Sequence, residues 1–158
     1  MTRALIPHGG NDVVYTPIDL AYKIVSHYQP IGLILEPCAG SGVFVDLLPG
    51  CLHGDIATGQ DFLIYPWPKV DWVVTNPPWS KFRPFLIRSM ELAQNIVFLV
   101  TVNHFFTKAR LRDIKTAGFS IVEIALVPTP KEFPQSGFQL AAVHLQHTQN
   151  NLCRITEL

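Results

Sequence analysis

The chain is poor in charged residues, and this shortage limits the classes of protein to which it can belong. Only 15% of its 158 residues are charged, against about 25% in ordinary globular proteins, while 48% are hydrophobic. Disordered and low-complexity chains have the opposite balance, so both classes are excluded. A chain of this length can bury its own core, and we expect residues 1–158 to form a single domain.

The sequence also has no closely spaced cysteine pair and no long apolar run, and we expect no leader segment. Cys38, Cys51 and Cys153 have no Cys-x-x-Cys spacing, and the six histidines show no metal-ligand spacing, so we expect no disulfide framework and no metal. No apolar run approaches the ~18 residues of a membrane span. The first ten residues do not resemble a signal peptide. We expect no membrane partner and a cytoplasmic location, in the host if a phage encodes the chain.

Charge is unevenly divided between the halves of the chain. Residues 1–80 hold three basic and seven acidic side chains, and residues 81–158 hold nine and five. Such asymmetry fits either solvated helix surfaces or an anionic partner. The basic stretch comprises Lys81, Arg83, Arg88, Lys108, Arg110, Arg112 and Lys115.

Strand and helix patterns alternate along the sequence. Apolar runs typical of strands lie at 31–36, 51–55, 71–75, 96–102, 120–127 and 139–146, with a shorter extended piece near 62–65. Thr16 and Thr107 are predicted helix N-caps. The last two runs have no helical pattern between them, so they should pair antiparallel. We predict an α/β fold, with a mostly parallel sheet of about six to seven strands whose last strand is antiparallel.

A glycine turn, Ala39-Gly40-Ser41-Gly42, follows the first strand, which ends in Glu36. Ligands of open α/β sheets bind at this edge, and a carboxylate there suits a ligand with an ammonium group and hydroxyls. The turn lacks the third glycine of a dinucleotide motif and the lysine of a phosphate loop. Asp55 and Asp61 come after later extended segments, where they could accept ribose hydroxyls or simply form turns.

The most specific feature is the turn Asn76-Pro77-Pro78-Trp79, directly after the third strand. Two consecutive prolines remove two N–H donors and fix two φ angles. The rigid bend that results presents the Asn76 amide and the Pro77 carbonyl as acceptors beside the flat Trp79 ring. This combination suits a planar group that carries an amino nitrogen. A plain strand-ending turn with a packed Trp79 is the structural alternative.

Together these motifs resemble the S-adenosylmethionine-dependent amino-methyltransferases, most closely the adenine-specific DNA enzymes with the gamma order of motifs. The family's motif X resembles Tyr15-Thr16-Pro17, and its motif I resembles the segment 35–44. Its motifs II, III and IV resemble 53–56, 60–63 and 76–79. The resemblance implies a Rossmann-like class I methyltransferase fold, S-adenosylmethionine as cofactor and N6-methylation of adenine in DNA.

The resemblance also implies a role for each matching residue. The residues expected to hold the cofactor are Thr16, Glu36, Ala39, Gly40, Gly42, Asp55, Ile56, Asp61, Phe62 and Asn76. The catalytic turn would be Asn76, Pro77, Pro78 and Trp79, with Asn76 and Pro77 gripping the target amine. Two acceptors stabilise the positive charge that develops on the attacking nitrogen, whose proton would then leave to water.

The target base must leave the duplex and be stacked in return. Trp79 would supply one face, and Phe133 or Phe138 the other, although Phe138 could equally be core. Lys81 and Arg83 would contact the nucleic acid, with the remaining basic stretch facing phosphates.

Two features depart from the family pattern. The chain ends about a dozen residues after its last predicted strand, without a target-recognition region, so specificity should be low, short or supplied by a partner. The gap between Asp55 and Asp61 is too short for a helix and a strand. RNA bases or protein glutamine are alternative substrates, and a non-catalytic partner subunit is an alternative role. The low surface charge also allows a homodimer or a specificity subunit.

Overall fold

The computed structural model describes residues 14–158, which contain one seven-stranded sheet with helices on both faces. The statements above about residues 1–13 lie outside the described part of the chain. The elements in chain order are α1 (Ile18–Tyr28), β1 (Ile34–Glu36), α2 (Val43–Leu47), β2 (Leu52–His53), β3 (Val70–Thr75), α3 (Phe82–Leu92), β4 (Ala93–Thr101), α4 (Lys108–Thr116), β5 (Phe119–Leu126), β6 (Leu140–His147) and β7 (Arg154–Glu157).

The strand order is β2-β1-β3-β4-β6-β5-β7. Strands β1 to β4 pair in parallel, and β6 runs antiparallel to both β4 and β5. The prediction of a mostly parallel sheet of about six to seven strands is therefore confirmed, and its antiparallel strand is the last of the six runs recognised in the sequence. β2 lies on one side of β1 and β3 lies on its other side, so the direction in which the chain crosses the sheet reverses between them. In open α/β sheets with such a reversal, ligands bind in a crevice at the carboxyl ends of the two strands beside it, which here are β1 and β3.

Two apolar layers sandwich the sheet because its central strands are buried on both faces. On one face, Leu20, Ala21 and Ile24 of α1 pack with Phe44 of α2. The other face is covered by α3 and α4, whose core side chains are Phe82, Phe85, Leu86, Leu92 and Ile114. Apolar positions at helical spacing produce these stripes, and the unbroken apolar run of β4 fits burial on both sides.

Two local predictions need correction, and one strand was not predicted. Thr16 is not a helix cap: Pro17 occupies the N-cap position of α1, and no side chain caps this helix. Residues 62–65 form a turn instead of an extended piece, because the Tyr65 amide donates to the Asp61 carbonyl at 2.8 Å. The third departure is β7, a short strand parallel to β5 that the sequence pattern did not reveal. The Thr107 cap is confirmed, since its side chain accepts from the Arg110 amide.

Candidate functional site

The carboxyl ends of β1 and β3 meet at a buried carboxyl group. Glu36 is the last residue of β1 and is 1% exposed. Its Oε1 accepts hydrogen bonds from the Thr75 hydroxyl at 2.5 Å and from the Cys38 amide at 2.8 Å. Burial raises the pKa of Glu36 to about 8; these two bonds oppose the rise and the Asp55 charge adds to it. The second oxygen, Oε2, has no hydrogen-bond partner within residues 14–158, so it can receive a cationic ligand.

The glycine turn is tied to the end of β2 by backbone amides. The Gly40 amide donates to Asp55 Oδ2 at 2.9 Å, and the Ala57 amide donates to Oδ1 at 2.8 Å. The Ala39 amide donates to the Gly54 carbonyl at 2.9 Å. Asp55 therefore organises the turn itself, with its remaining lone pairs available to hydroxyls.

Glycine is required at two positions of this turn. Gly40 and Gly42 have φ values of 53° and 88°, which are unfavourable for side-chain-bearing residues. A Cβ on Gly40 would lie 3.2 Å from two carbons of the Tyr15 ring. Tyr15 thus covers the turn, and the absence of a side chain on Gly40 makes this close approach possible.

The three residues expected around an adenine ring differ in their exposure and in their contacts. Ile56 is 64% exposed at the rim of the crevice, where it can cover a planar ligand. Phe62 is 2% exposed, and its ring centroid is 5.0 Å from that of Phe85 in the core. Asp61 accepts from the Leu63 amide at 3.0 Å and so shapes the turn that carries Phe62. Of the two apolar side chains expected around the adenine, Ile56 therefore faces solvent and Phe62 is buried in the core.

The Asn76 side chain is oriented by the segment that precedes α1. Its Nδ2 donates to the Val14 carbonyl at 3.0 Å and to the Thr16 hydroxyl at 3.3 Å. A carbonyl can only accept, so these contacts assign the nitrogen and leave Oδ1 as the free acceptor. Thr16, which is 8% exposed, acts here through Asn76. The site can therefore offer an acceptor to an amino group beside the glycine turn.

The prolines and Trp79 complete this corner of the site. Pro77 is buried and its carbonyl has no hydrogen-bond partner in the described part of the chain, whereas the Pro78 carbonyl accepts from the Lys81 amide at 3.0 Å. The Trp79 indole donates to the Leu99 carbonyl at 3.4 Å. This bond anchors the ring over the end of β4 while leaving it partly exposed.

Phe133 lies within the loop 128–137 and Phe138 directly follows it, and the two side chains have different environments. Phe133 is 2% exposed, and its ring centroid lies 6.0 Å from that of Trp79 at 45°. This spacing and tilt leave no gap for a base between the two rings, so Phe133 supports Trp79 from behind. Phe138 is 54% exposed and remains free to contact a ligand.

The basic residues also divide into paired and unpaired groups. Arg83 forms a two-point ion pair with Asp113, at 2.8 and 3.2 Å. Arg88 bonds to Glu91 at 3.0 Å and to the Tyr65 carbonyl. Lys81 is exposed near Trp79 and has no side-chain partner among the described residues. Of the two predicted substrate contacts, Lys81 is therefore the one whose charge is not already compensated.

Three site residues received little or no weight in the sequence analysis. Thr75 is a polar residue inside an apolar strand, which is itself a signal of a buried hydrogen bond. Tyr15 was recognised only through its motif, without its contact with Gly40. His104 follows β4, and its ring centroid lies 5.5 Å from that of Trp79. Only the pairing of strands could have brought His104 and Trp79 together.

Comparisons with known proteins bear on the fold. Neither a family model nor a curated protein sequence matches the chain. Solved structures do match: the M protein of the type I restriction enzyme EcoKI has a TM-score of 0.65 at 15% identity, covering 90% of this chain and 48% of that protein. A candidate class I S-adenosylmethionine-dependent methyltransferase of Listeria monocytogenes has a TM-score of 0.64 at 16% identity, with coverage of 96% and 68%. The chain has the class I methyltransferase fold.

A third solved structure with this fold is a candidate RNA methyltransferase of Pyrococcus horikoshii. Its TM-score is 0.61 at 16% identity, and the match covers 85% of this chain and 86% of the other. The chain spans about half the length of the EcoKI M protein but most of the archaeal protein. The class I methyltransferase fold is thus shared with proteins whose names refer to a restriction enzyme and to an RNA methyltransferase.

Residues 14–158 contain neither a membrane-spanning helix nor a cluster of metal ligands. No helix there is both long and apolar enough to cross a membrane. The same residues contain no group of three or more histidine, cysteine, aspartate or glutamate side chains placed to hold a metal ion.

Proposed function

We propose that the chain is an S-adenosylmethionine-dependent methyltransferase that modifies the exocyclic N6 amino group of adenine in DNA. The observation that carries this proposal is the orientation of Asn76. Both of its amide hydrogens are directed to the Val14–Thr16 segment, so Oδ1 is reserved as an acceptor at the carboxyl end of β3. An amine donor is the ligand that such an acceptor selects.

The residues around the glycine turn fit the proposed cofactor. Glu36 Oε2 is available for the ammonium group of the methionine moiety, Asp55 for ribose hydroxyls, and Ile56 for the adenine face. The bare Gly40 backbone permits close approach under Tyr15. When bound, the cofactor supplies a methyl group on a positively charged sulfur. Two of the structurally similar proteins support this assignment, one through its description as S-adenosylmethionine-dependent and the other through its role in a restriction enzyme.

The Asn-Pro-Pro-Trp turn would activate the target nitrogen. The lone pair of an aromatic amine is delocalised into the ring, so the amine is a weak nucleophile. Hydrogen bonds to Asn76 Oδ1 and the Pro77 carbonyl draw the nitrogen towards tetrahedral geometry and stabilise its developing positive charge. Trp79 holds the plane of the base, so the nitrogen is positioned for attack. Phe138 is the exposed aromatic ring available for the opposite face.

RNA is the second candidate substrate, favoured by the match to the archaeal candidate RNA methyltransferase over most of its length. We propose DNA first because the motif resemblance is to adenine-specific DNA enzymes, and because the M protein of the restriction enzyme EcoKI has the higher TM-score of the two. The exposed cationic side chain of Lys81 suits either nucleic acid. A specificity subunit or a second copy of the chain is proposed as the source of sequence recognition.

The deciding experiment is methyl transfer from labelled S-adenosylmethionine to mixed DNA and total RNA, followed by mass spectrometry of the nucleosides. We expect N6-methyladenine in the DNA fraction. Asn76→Asp is the matched variant, because it keeps the size and the acceptor but replaces the donor that bonds Val14 and Thr16; Asn76→Ala removes both. Both variants should lose at least 100-fold in kcat. Methylation confined to RNA would change the substrate, and transfer unaffected by either variant would contradict the role of the turn.

A further inference from the structure

An exposed aromatic ring near the end of β4 has no role in the site described so far. Phe106 is 55% exposed and follows the short 3₁₀ helix Val102–His104. Its amide donates to the Asn103 carbonyl at 3.3 Å, so the backbone forms a tight turn at the carboxyl end of the sheet. An aromatic ring that faces solvent offers a flat apolar surface on which another ring can stack.

Phe106 lies close to the proposed base pocket. The ring centroid of His104 is 5.5 Å from that of Trp79. Two residues of chain span at most about 7 Å, so the Cα atom of Phe106 lies within that distance of the Cα atom of His104. Successive nucleotides of a strand lie about 3.4 Å apart when stacked and further apart when unstacked. The nucleotide next to a base held at Trp79 can therefore reach Phe106.

Phe138 brings a second exposed ring to the same edge of the sheet. The Val102 amide donates to the Gln139 carbonyl at 2.9 Å, which fixes the start of β6 beside the end of β4. Phe138 directly precedes Gln139 and is 54% exposed, so it emerges next to the turn that carries Phe106. Two exposed aromatic rings thus accompany the partly exposed Trp79 ring at this edge.

Uncompensated basic side chains accompany these rings. The segments 76–88 and 101–112 contain six lysine and arginine residues and no acidic residue. Lys81 and Lys108 are exposed, and neither forms an ion pair with any residue of 14–158. Arg110, whose guanidinium carbon is 6.0 Å from the Phe82 ring centroid, has no ion pair within this range either. Cations complement the phosphates of a nucleic acid, and aromatic rings among cations are typical of surfaces that bind single strands.

We propose that the protein takes its substrate as a single strand of nucleic acid and stacks the base next to the target on Phe106. This inference rests on the proposed function for the identity of the target. Bases in a duplex are already stacked and paired, so their faces are closed to Phe106, and extruding the target from the duplex costs free energy. A single strand exposes the faces without that cost. Lys81 and Lys108 contact the flanking phosphates.

The test is equilibrium binding of a labelled DNA strand, measured by fluorescence anisotropy for the single strand and for its duplex at one salt concentration. We expect the single strand to bind at least tenfold more tightly. Phe106→Ala should weaken single-strand binding about tenfold, whereas Phe106→Tyr keeps a ring and should retain it. Tyr22→Ala is the matched control, because Tyr22 is a 62% exposed aromatic residue on α1, and it should bind normally. A duplex bound as tightly as the single strand, or equal binding by Phe106→Ala and Tyr22→Ala, would overturn the inference.

A fluorescent base reports the stacking directly. With 2-aminopurine next to the target adenine, on either side in separate strands, the unchanged protein should quench one of the two, and Phe106→Ala should not. An RNA strand should depend on Phe106 in the same way, because stacking does not read the sugar. Binding that depends on Phe106 without methyl transfer would overturn the proposed function and leave the single-strand surface in place. Methyl transfer and quenching that are both independent of Phe106 would overturn this inference alone.

Discussion

Thr75 donates a hydrogen bond of 2.5 Å to Glu36 Oε1, which joins the ends of β3 and β1 beneath the glycine turn. Both residues are 1% exposed. Removal of Glu36 from water disfavours its ionised form more than the bonds from Thr75 and Cys38 favour it, so its pKa rises to about 8. The crevice is consequently built around a carboxyl group that is mostly protonated at neutral pH until a cation arrives.

The first prediction concerns stability against pH without any ligand. Between pH 6.5 and 8, Glu36 is ionised in the unfolded chain but protonated in the folded one, so the free energy of unfolding should fall as pH rises. One proton over this interval corresponds to roughly 2 kcal/mol. Urea denaturation at several pH values measures the slope. Glu36→Gln keeps the shape and should abolish it; an equal slope in that variant would contradict the shifted pKa.

The pH interval is begun at 6.5 because of His144. Burial lowers the pKa of this histidine from 6.5 to about 4, so its contribution rises with pH below 6.5 and opposes that of Glu36. Its contribution levels off within about one pH unit above 6.5, because the unfolded chain then loses the same proton. A bound cation beside Glu36 should reverse the preference for the protonated form. We therefore expect S-adenosylmethionine affinity to increase with pH up to about 8 in the unchanged protein and to stay flat in Glu36→Gln.

A second prediction compares two glycines of the same turn. Alanine at Gly40 or Gly42 places a side chain at positive φ, which costs about 1–2 kcal/mol in either case. Only the Gly40 Cβ meets the Tyr15 ring, at 3.2 Å, whereas the Gly42 Cβ enters open space. Displacing Tyr15 also moves Val14 and Thr16, which orient Asn76.

At saturating S-adenosylmethionine, Gly40→Ala should therefore lower kcat at least tenfold, while Gly42→Ala, with a similar loss of stability, should retain most of its kcat. Thermal unfolding and methyl transfer measured on both variants provide the comparison. Equal effects on kcat would mean that Tyr15 does not transmit the change.

The third prediction separates the two phenylalanines near the 128–137 loop. Phe133→Ala empties a core position behind Trp79 and should destabilise the fold by about 3–5 kcal/mol. Phe138→Ala removes an exposed ring and should change stability by less than about 0.5 kcal/mol. If Phe138 stacks on the substrate, its loss should raise the KM for nucleic acid roughly tenfold. An unchanged KM in Phe138→Ala would remove Phe138 from the substrate site.

How far the sequence predicts this molecule depends on whether a signal is local. Buried parallel strands and amphipathic helices carry their pattern in consecutive residues, so β3, β4 and α4 were recognised. The proline pair fixes its own backbone, which made the turn at Asn76 visible. In contrast, β7 has four residues of mixed polarity and depends on pairing with β5. A short edge strand of this kind has no periodicity to detect.

The residues of the candidate site also divide into those with a local sequence signal and those that depend on distant contacts. The sequence identified Asn76 and Glu36 but not the partners that orient them, because Val14 lies 62 residues from Asn76 and Thr75 lies 39 residues from Glu36. The predicted cap at Thr16 failed for this reason: its hydroxyl bonds to a distant amide instead of the adjacent helix. Phe133 and Phe138 could not be distinguished either, since only tertiary packing decides which of them is buried.

The last prediction concerns Glu123, which attaches β7 to the sheet. Its carboxylate is 3% exposed and accepts from Thr156 at 2.7 Å and from Arg154 at 3.0 Å, with His27 at 2.8 Å. Burial alone would raise the pKa of Glu123, but these bonds outweigh it and hold the pKa below its ordinary value. One buried carboxylate therefore holds together the end of α1, the middle of β5 and the strand β7.

The cost of breaking this cluster should depend on which partner is removed. Glu123→Ala loses all three bonds and should cost roughly 2–3 kcal/mol of unfolding free energy, with faster amide exchange in residues 154–157. Arg154 is 73% exposed, so Arg154→Ala should cost less than about 1 kcal/mol, because water compensates its charge in either state. Methyl transfer should survive both changes, since the cluster includes none of the residues assigned to the crevice. A larger loss in Arg154→Ala than in Glu123→Ala would mean that the cation, and not the buried carboxylate, holds β7.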